Sequence, residues 1–226
     1  MDRSVNRHEI KYIVSLFEAE LLKRRLKTLL RPDPHAGPDG SYFIRSIYFD
    51  DPDFTAYRQK LDGVKERTKY RIRFYNMDDR VIFLEKKSKD GDLTGKDSAP
   101  LTRAQAEDFL RGSHGLLKLT GLPGELGRLR EGAVKPVAVV DYDRWAFTYP
   151  IGNVRVTVDM DVRTCPYRTD GFDPRLLTVP VLDEGEAVLE VKYDAFLPAP
   201  VRELLMGVTK QRCAVSKYTL CLGILE

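Results

Sequence analysis

The segment Lys69-Tyr70-Arg71-Ile72-Arg73-Phe74-Tyr75 alternates charged and apolar side chains. Successive side chains of a β-strand point to opposite faces of a sheet. The segment therefore predicts a strand that carries three cations on one face and Tyr70, Ile72 and Phe74 on the other.

Three other segments show the same alternation, and they are 7–12, 81–87 and 188–192. Each places a glutamate and a lysine two residues apart on one face, as in Glu190 and Lys192. An antiparallel sheet often leaves such a face in water. When the strands are taken together, a second arrangement is favoured, because about eight strands suffice to close a sheet into a barrel. Closure would turn the charged faces inward.

Length and composition predict a single α+β domain over residues 1–226. The chain is 42% hydrophobic and 10% aromatic, which is ample for one core. We predict strands near 6–13, 42–49, 67–75, 80–87, 136–147, 153–161, 177–182 and 187–193. Residues 88–100 are predicted as a polar loop, and helices are expected near 15–30, 102–111, 115–129, 199–206 and 214–223. The amphipathic helices should pack on the outer, apolar face of the sheet.

Bulk charge and cysteine usage exclude several classes of protein. Lysine and arginine total 37 against 34 acidic residues, so the chain does not have the composition of a nucleic-acid binder. Three cysteines without a Cys-x-x-Cys pair fit a reducing compartment. No run approaches the ~18 apolar residues of a membrane span, and we expect a cytoplasmic protein.

A barrel interior lined by cations requires counter-charge, because an unpaired buried charge costs several kcal/mol. The candidate cations are Lys11, Lys69, Arg71, Arg73, Lys87, Arg144, Arg155 and Lys192. The candidate carboxylates are Glu9, Glu85, Asp159 and Glu190. Cations outnumber carboxylates about two to one, so a linear phosphate chain with a divalent metal would satisfy both sets.

Each carboxylate also has a purely structural interpretation. Glu9 and Glu85 could form lateral ion pairs with nearby lysines. Glu190 lies between Leu189 and Val191 in a buried strand, where an acid needs a specific partner. Asp159 and Asp161 share a face in a regular strand and could add a metal ligand, or they could occupy an edge.

Eight short motifs, in this order along the chain, resemble the VTC domain, the polyphosphate polymerase module of the triphosphate tunnel metalloenzyme superfamily. They are Arg7-x-Glu9-x-Lys11-Tyr12, Ser46-Ile47-Tyr48-Phe49-Asp50, Lys69-x-Arg71-x-Arg73, Leu84-Glu85-Lys86-Lys87, Tyr142-x-Arg144, Arg155-Val156-Thr157-Val158-Asp159, Leu189-Glu190-Val191-Lys192-Tyr193 and Ser216-Lys217-Tyr218. The resemblance covers nearly the whole chain. It implies an eight-stranded antiparallel β tunnel with helices packed outside.

The resemblance also implies a reaction and the residues that perform it. The tunnel would bind ATP and inorganic polyphosphate or triphosphate with Mn²⁺ or Mg²⁺, and would transfer the terminal phosphoryl group of ATP to a growing chain. The implied catalytic phosphate ligands are Lys11, Arg71, Arg73, Lys87, Arg144, Arg155 and Lys217. Further substrate contacts are expected from Lys69, Lys96, Tyr142, Lys192 and Ser216. Glu190 would be the principal metal ligand, with Glu9 and Glu85 as additional candidates.

Two alternatives use the same tunnel. A triphosphatase would need a base such as Glu9 or Glu85 to activate water. A sensor would bind the anion without turnover. RNA binding on an open sheet is disfavoured, because Tyr70 and Phe74 lie on the face opposite the cations.

Overall fold

The computed structural model describes residues 7–91, 93–112, 134–168, 170–208, 213 and 216–225. Its strands are β1 (His8–Ser15), β2 (Arg31–Pro32), β3 (Ser41–Asp50), β4 (Arg67–Tyr75), β5 (Asp78–Asp90), β6 (Leu93–Leu101), β7 (Lys135–Tyr149), β8 (Val154–Pro166), β9 (Val179–Pro180) and β10 (Glu186–Tyr193). Its helices are α1 (Leu16–Leu26), α2 (Thr55–Leu61), α3 (Arg103–Leu110), α4 (Ala199–Leu205) and α5 (Lys217–Leu225). The helix predicted over 115–129 lies outside the described residues.

Eight long strands form one antiparallel sheet in the order β1-β10-β8-β7-β3-β4-β5-β6. The short strands β2 and β9 pair with β7 and β8 at its margins. The two ends of the path, β1 and β6, approach each other, and Glu9 of β1 contacts Lys87 of β5 across the gap. The tunnel predicted from the alternating segments is confirmed.

One of the eight tunnel strands is not among those predicted. Residues 88–100 were expected to form a loop, but they complete β5 and form β6 around a turn at Gly91, which has a φ of +54°. The prediction failed because this hairpin is polar on both faces and has no apolar alternation. The strand predicted over 177–182 is only Val179–Pro180, since proline cannot donate to a ladder.

The strand register places the predicted charged faces together inside the tunnel. Arg71 lies opposite Glu85, Lys11 opposite Glu190, and Arg144 opposite Asp159. Residues directly opposite in an antiparallel pair share a face. The apolar positions between them therefore point outward.

Three helices cover this outer face. Helices α1 and α4 pack over β8 and β10 in a cluster that includes Leu22, Val156, Leu189 and Val201. Helix α3 packs against the outer residues of β4 and β5, with Phe109 in that cluster. The capping boxes at Ser15 and Thr102 fix where α1 and α3 begin.

Helix α5 does not lie outside the sheet, contrary to the expectation for the helices. Tyr218, Cys221 and Leu222 pack on inner-face residues of the tunnel, including Ile44 and Val140, and Tyr57 of α2 joins the cluster. The inner positions are apolar at this end of the tunnel, so a helix can bury its apolar face there. No helix among the described residues has the length and apolar character to cross a bilayer.

The carboxylate of Asp50 anchors both inner helices. It accepts hydrogen bonds from the backbone N–H groups of Ala56 (3.0 Å) and Tyr57 (3.1 Å), and from the Tyr218 hydroxyl. The Tyr218 ring also stacks on Tyr48, with centroids 5.0 Å apart. Burial and the hydrogen bond to Asp50 raise the pKa of Tyr218, so the hydroxyl stays a donor.

We expect Tyr218→Phe to lower the free energy of unfolding by about 1–3 kcal/mol, because Asp50 would lose a buried donor. Tyr149→Phe is the matched control, since the Tyr149 hydroxyl makes no hydrogen bond to a described residue. Urea denaturation of both variants measures the difference. Equal stabilities of the two variants would contradict the anchoring role.

Candidate functional site

A first charge cluster inside the tunnel joins β1, β5 and β10. The Lys11 ammonium lies 2.8 Å from Glu9 and 3.3 Å from Glu190. Lys87 lies 2.8 Å from Glu9, and Lys192 lies 2.8 Å from Glu190 and 3.5 Å from Glu9. Although burial opposes ionisation, these lysines hold the pKa values of Glu9 and Glu190 below their ordinary range.

Glu85 is the centre of a second cluster on β4, β5 and β6. Its carboxylate accepts from Arg71 Nε at 2.7 Å and lies 3.2 Å from Lys96 and 3.8 Å from Arg73. Burial raises the pKa of this carboxyl, but Arg71, Arg73 and Lys96 outweigh burial and lower it. Glu85 is therefore an ionised acceptor enclosed by cations.

Asp159 is the centre of a third cluster, between β7, β8 and helix α5. It accepts two hydrogen bonds from Arg144, at 2.6 and 2.7 Å, and forms an ion pair with Lys217. Asp159 is completely inaccessible to solvent, yet the two cations lower its pKa. This carboxylate positions two of the predicted phosphate ligands.

The remaining predicted residues contact hydroxyl groups, and Arg155 also forms an ion pair. Lys69 Nζ lies 3.2 Å from Ser216 Oγ, and Arg73 donates to the Tyr142 hydroxyl at 2.8 Å. Arg155 lies 2.7 Å from Asp33 and donates to the Tyr42 hydroxyl at 2.9 Å. Apart from Lys96, whose side chain is 54% exposed, the predicted phosphate and metal ligands on the strands lie on the inner face of the tunnel.

Some site residues escaped the sequence prediction. Ser46 accepts from Arg73 Nε at 3.0 Å, and Tyr48 accepts from Arg71 at 2.9 Å. Their period-two spacing along β3 is the signal that could have identified them. Asp33 has no such signal, because it lies in the loop after β2.

The prediction that Asp159 and Asp161 share a face is wrong. The register between β7 and β8 shifts between Asp141 and Asp143, and Asp161 adopts a φ of +48°. This irregularity turns Asp161 out to solvent, where it lies 3.3 Å from Arg163. Asp161 is therefore excluded from the tunnel site.

The site contains more positive than negative charge. Ten lysines and arginines line it: Lys11, Lys69, Arg71, Arg73, Lys87, Lys96, Arg144, Arg155, Lys192 and Lys217. The carboxylates that contact them are Glu9, Asp33, Glu85, Asp159 and Glu190. An excess of buried cations is the charge arrangement that suits an anion with several negative charges.

Like charges also lie directly opposite each other in the sheet, which disfavours their ionised forms. Lys87 has Lys69 as its partner on β4 and Lys96 as its partner on β6. Burial together with Lys87, Lys11 and Arg71 lowers the pKa of Lys69 well below its ordinary value. Burial, aided by Lys11 and Lys192 against the opposing effect of Glu9, lowers the pKa of Lys87 to about 7.

Glu9 and Glu190 are the carboxylates best placed for a divalent metal. Both contact the Lys11 ammonium, and Thr157 lies opposite Glu190 with a buried Oγ1 that has no hydrogen-bond partner among the described residues. No group of three or more His, Cys, Asp or Glu suited to a metal occurs in the described part of the chain. Mg²⁺ and similar ions commonly use one or two carboxylates with substrate phosphates. The donor set therefore fits a metal that arrives with a phosphate ligand.

A model of the VTC domain family matches residues 6–225. The chain belongs to the VTC domain family. Vacuolar transporter chaperone complex subunit 4 of Schizosaccharomyces pombe (strain 972) is 30% identical in an alignment 152 residues long, which covers 57% of this chain and 21% of that protein. This VTC domain thus spans about a fifth of the length of that relative.

Solved structures with low sequence identity share the fold. A putative adenylate cyclase from Bacillus halodurans superposes with a TM-score of 0.53 at 16% identity, covering 90% of this VTC domain and 86% of that chain. The PH1819 protein of Pyrococcus horikoshii OT3 superposes with a TM-score of 0.52 at 14% identity, covering 96% and 99%. These similarities establish the tunnel fold of the domain.

Proposed function

We propose that this VTC domain transfers the terminal phosphoryl group of ATP to a growing inorganic polyphosphate chain inside the tunnel. This proposal rests mainly on the excess of lysine and arginine side chains around a small set of ionised carboxylates inside the tunnel. Family membership supports polyphosphate as the anion. A linear polyphosphate presents repeated negative charge along the tunnel, where every long strand except β3 contributes a guanidinium or ammonium group.

The chemistry requires positioning and charge neutralisation more than covalent participation by the protein. An oxygen of the acceptor's terminal phosphate forms a bond to the γ-phosphorus as the bond from that phosphorus to the β–γ bridging oxygen breaks, and ADP leaves. Arg71, Arg73 and Arg144 offset the charge on the phosphate oxygens. The acceptor is already ionised near neutral pH, because the second pKa of a phosphate is about 6. No general base is needed.

A bound Mn²⁺ or Mg²⁺ would supply further neutralisation of phosphate charge. Glu190 and Glu9 would hold it with phosphate oxygens as the remaining ligands. Glu85 is a poorer ligand in this arrangement, because Arg71, Arg73 and Lys96 already surround it. We assign Glu85 the role of holding these cations at the positions where they meet the substrate.

The test incubates the purified domain with ATP and MnCl₂ and separates the products by gel electrophoresis and ³¹P NMR. We expect ADP together with long-chain polyphosphate. Release of free phosphate as the only product would identify a triphosphatase instead. Tight triphosphate binding without either product would identify a sensor.

The geometry disfavours the triphosphatase alternative. Its base would be Glu9 or Glu85, but surrounding lysines and arginines lower the pKa of each carboxyl. A carboxylate stabilised in its ionised form is a weak proton acceptor. Polymer synthesis avoids this difficulty because its acceptor carries no proton that must be removed.

We expect tripolyphosphate binding to take up protons between about pH 7 and 9, where a lysine with a pKa near 7 is largely neutral in the empty tunnel. A bound anion raises the pKa of Lys87, and linkage then weakens binding as the pH rises. Calorimetry in buffers of different ionisation enthalpy measures this uptake. Lys87→Arg should reduce it, because arginine stays protonated, and proton release on binding would contradict the assignment.

A further inference from the structure

A cavity of about 130 Å³ opens from the first charge cluster at the mouth of the tunnel, and Glu9 and Lys11 are part of its lining. Its lining includes Lys60 of α2, Arg67 of β4 and Lys89 of β5, together with Lys69 and Lys87 of the inner site. The cavity therefore contains further cations between the inner site and the mouth of the tunnel.

Strand register places these outer cations on the inner face. Arg67 lies directly opposite Lys89, one step beyond the pair of Lys69 and Lys87. Two like-charge pairs thus follow each other along the same two strands. Directly opposed like charges are destabilising, and a bound anion would offset this repulsion.

The outer cations have no acidic partner among the described residues. Arg67 donates to the carbonyl oxygen of Val64, and neither Lys60 nor Lys89 forms an ion pair or side-chain hydrogen bond with a described residue. Burial, together with Arg67, Lys11 and Lys89, lowers the pKa of Lys60. All three side chains are half-buried, so water does not fully screen them.

We propose that Lys60, Arg67 and Lys89 form an outer subsite that binds the part of a polyphosphate chain extending beyond the inner site. This inference rests on the proposed function and specifies how the tunnel distinguishes a polymer from a triphosphate. Arg67 is four residues from Arg71 along β4, which corresponds to ~13 Å of strand. A ligand that occupies both positions must be a chain of several phosphates.

The test compares the affinity of the domain for tripolyphosphate and for long-chain polyphosphate by calorimetry. The variant Lys60→Gln/Arg67→Gln/Lys89→Gln should bind the long chain at least about 30-fold more weakly, while tripolyphosphate affinity should change less than about 3-fold. The dependence of long-chain binding on salt should also become less steep, because fewer ions are exchanged.

The control variant Arg24→Gln/Lys27→Gln/Arg202→Gln removes the same charge from exposed positions on α1 and α4 and should leave both affinities unchanged. The single variant Lys60→Gln, at a half-buried position, should show part of the same selective loss and guards against misfolding of the triple variant. Equal loss of both ligands in the mouth variants, or no loss, would overturn the subsite and leave polymer synthesis standing. Failure of the unaltered domain to bind either ligand would overturn both proposals.

Discussion

Glu190→Gln is expected to reduce polyphosphate synthesis at least about 100-fold while tripolyphosphate binding persists. Glu190 is buried between Lys11 (3.3 Å) and Lys192 (2.8 Å), so its loss leaves the tunnel more positive. Anion affinity should therefore stay constant or rise, whereas a metal bound as proposed would lose its principal carboxylate. Turnover is measured by ADP release with Mn²⁺, and binding is measured by calorimetry without metal.

Glu203→Gln is the matched control for this substitution, because Glu203 is exposed on α4 and far from the tunnel lining. A parallel loss of binding and turnover in Glu190→Gln would mean that Glu190 only arranges the lysines. Unchanged turnover would remove Glu190 from the mechanism. Raising the Mn²⁺ concentration should partly restore the activity of the variant if the lost group is a metal ligand.

Asp159→Asn should lower the free energy of unfolding by about 3–5 kcal/mol, because it leaves Arg144 and Lys217 buried without their shared counter-charge. Both cations contact Asp159, which is inaccessible to solvent. Urea denaturation measures the loss. Added tripolyphosphate should recover part of it, since a ligand that binds only the folded state stabilises that state.

Asp161 provides an internal control two residues away on the same strand. It is exposed and lies at a φ of +48°, which asparagine tolerates as well as aspartate does. Asp161→Asn should change stability by less than about 0.5 kcal/mol. Similar losses for the two substitutions would show that Asp159 has no special role in holding the tunnel cations.

The tunnel lining was predictable where strands are regular. Alternation in β1, β4, β5 and β10 identified the inward face, and antiparallel register then brought Lys11 to Glu190 and Arg71 to Glu85. Alternation failed where the backbone departs from period two. The backbone departs from this period at the bulge near Asp161, and no residue in that segment is of a type that would predict a bulge.

Contacts between elements that lie far apart in the sequence, and contacts made by loops, could not be predicted either. The mouth cations Lys60, Arg67 and Lys89 come from one helix and two strands, and only the folded chain collects them around one cavity. Asp33 reaches Arg155 from a loop. The polar β5–β6 hairpin likewise lacks the apolar pattern by which strands are recognised.

The sequence by itself determined the strand faces, the closed antiparallel sheet and the family, because side-chain alternation and ordered short motifs are local properties. Tertiary structure alone decided that α5 enters the tunnel, where Tyr218 meets Asp50 and Lys217 meets Asp159. The helix sequence alone does not distinguish the two positions, because an apolar helix face can pack against apolar residues either inside or outside a barrel. The position of the helix depends on which end of the tunnel interior is apolar. That apolar end is formed by residues that are far apart in the sequence.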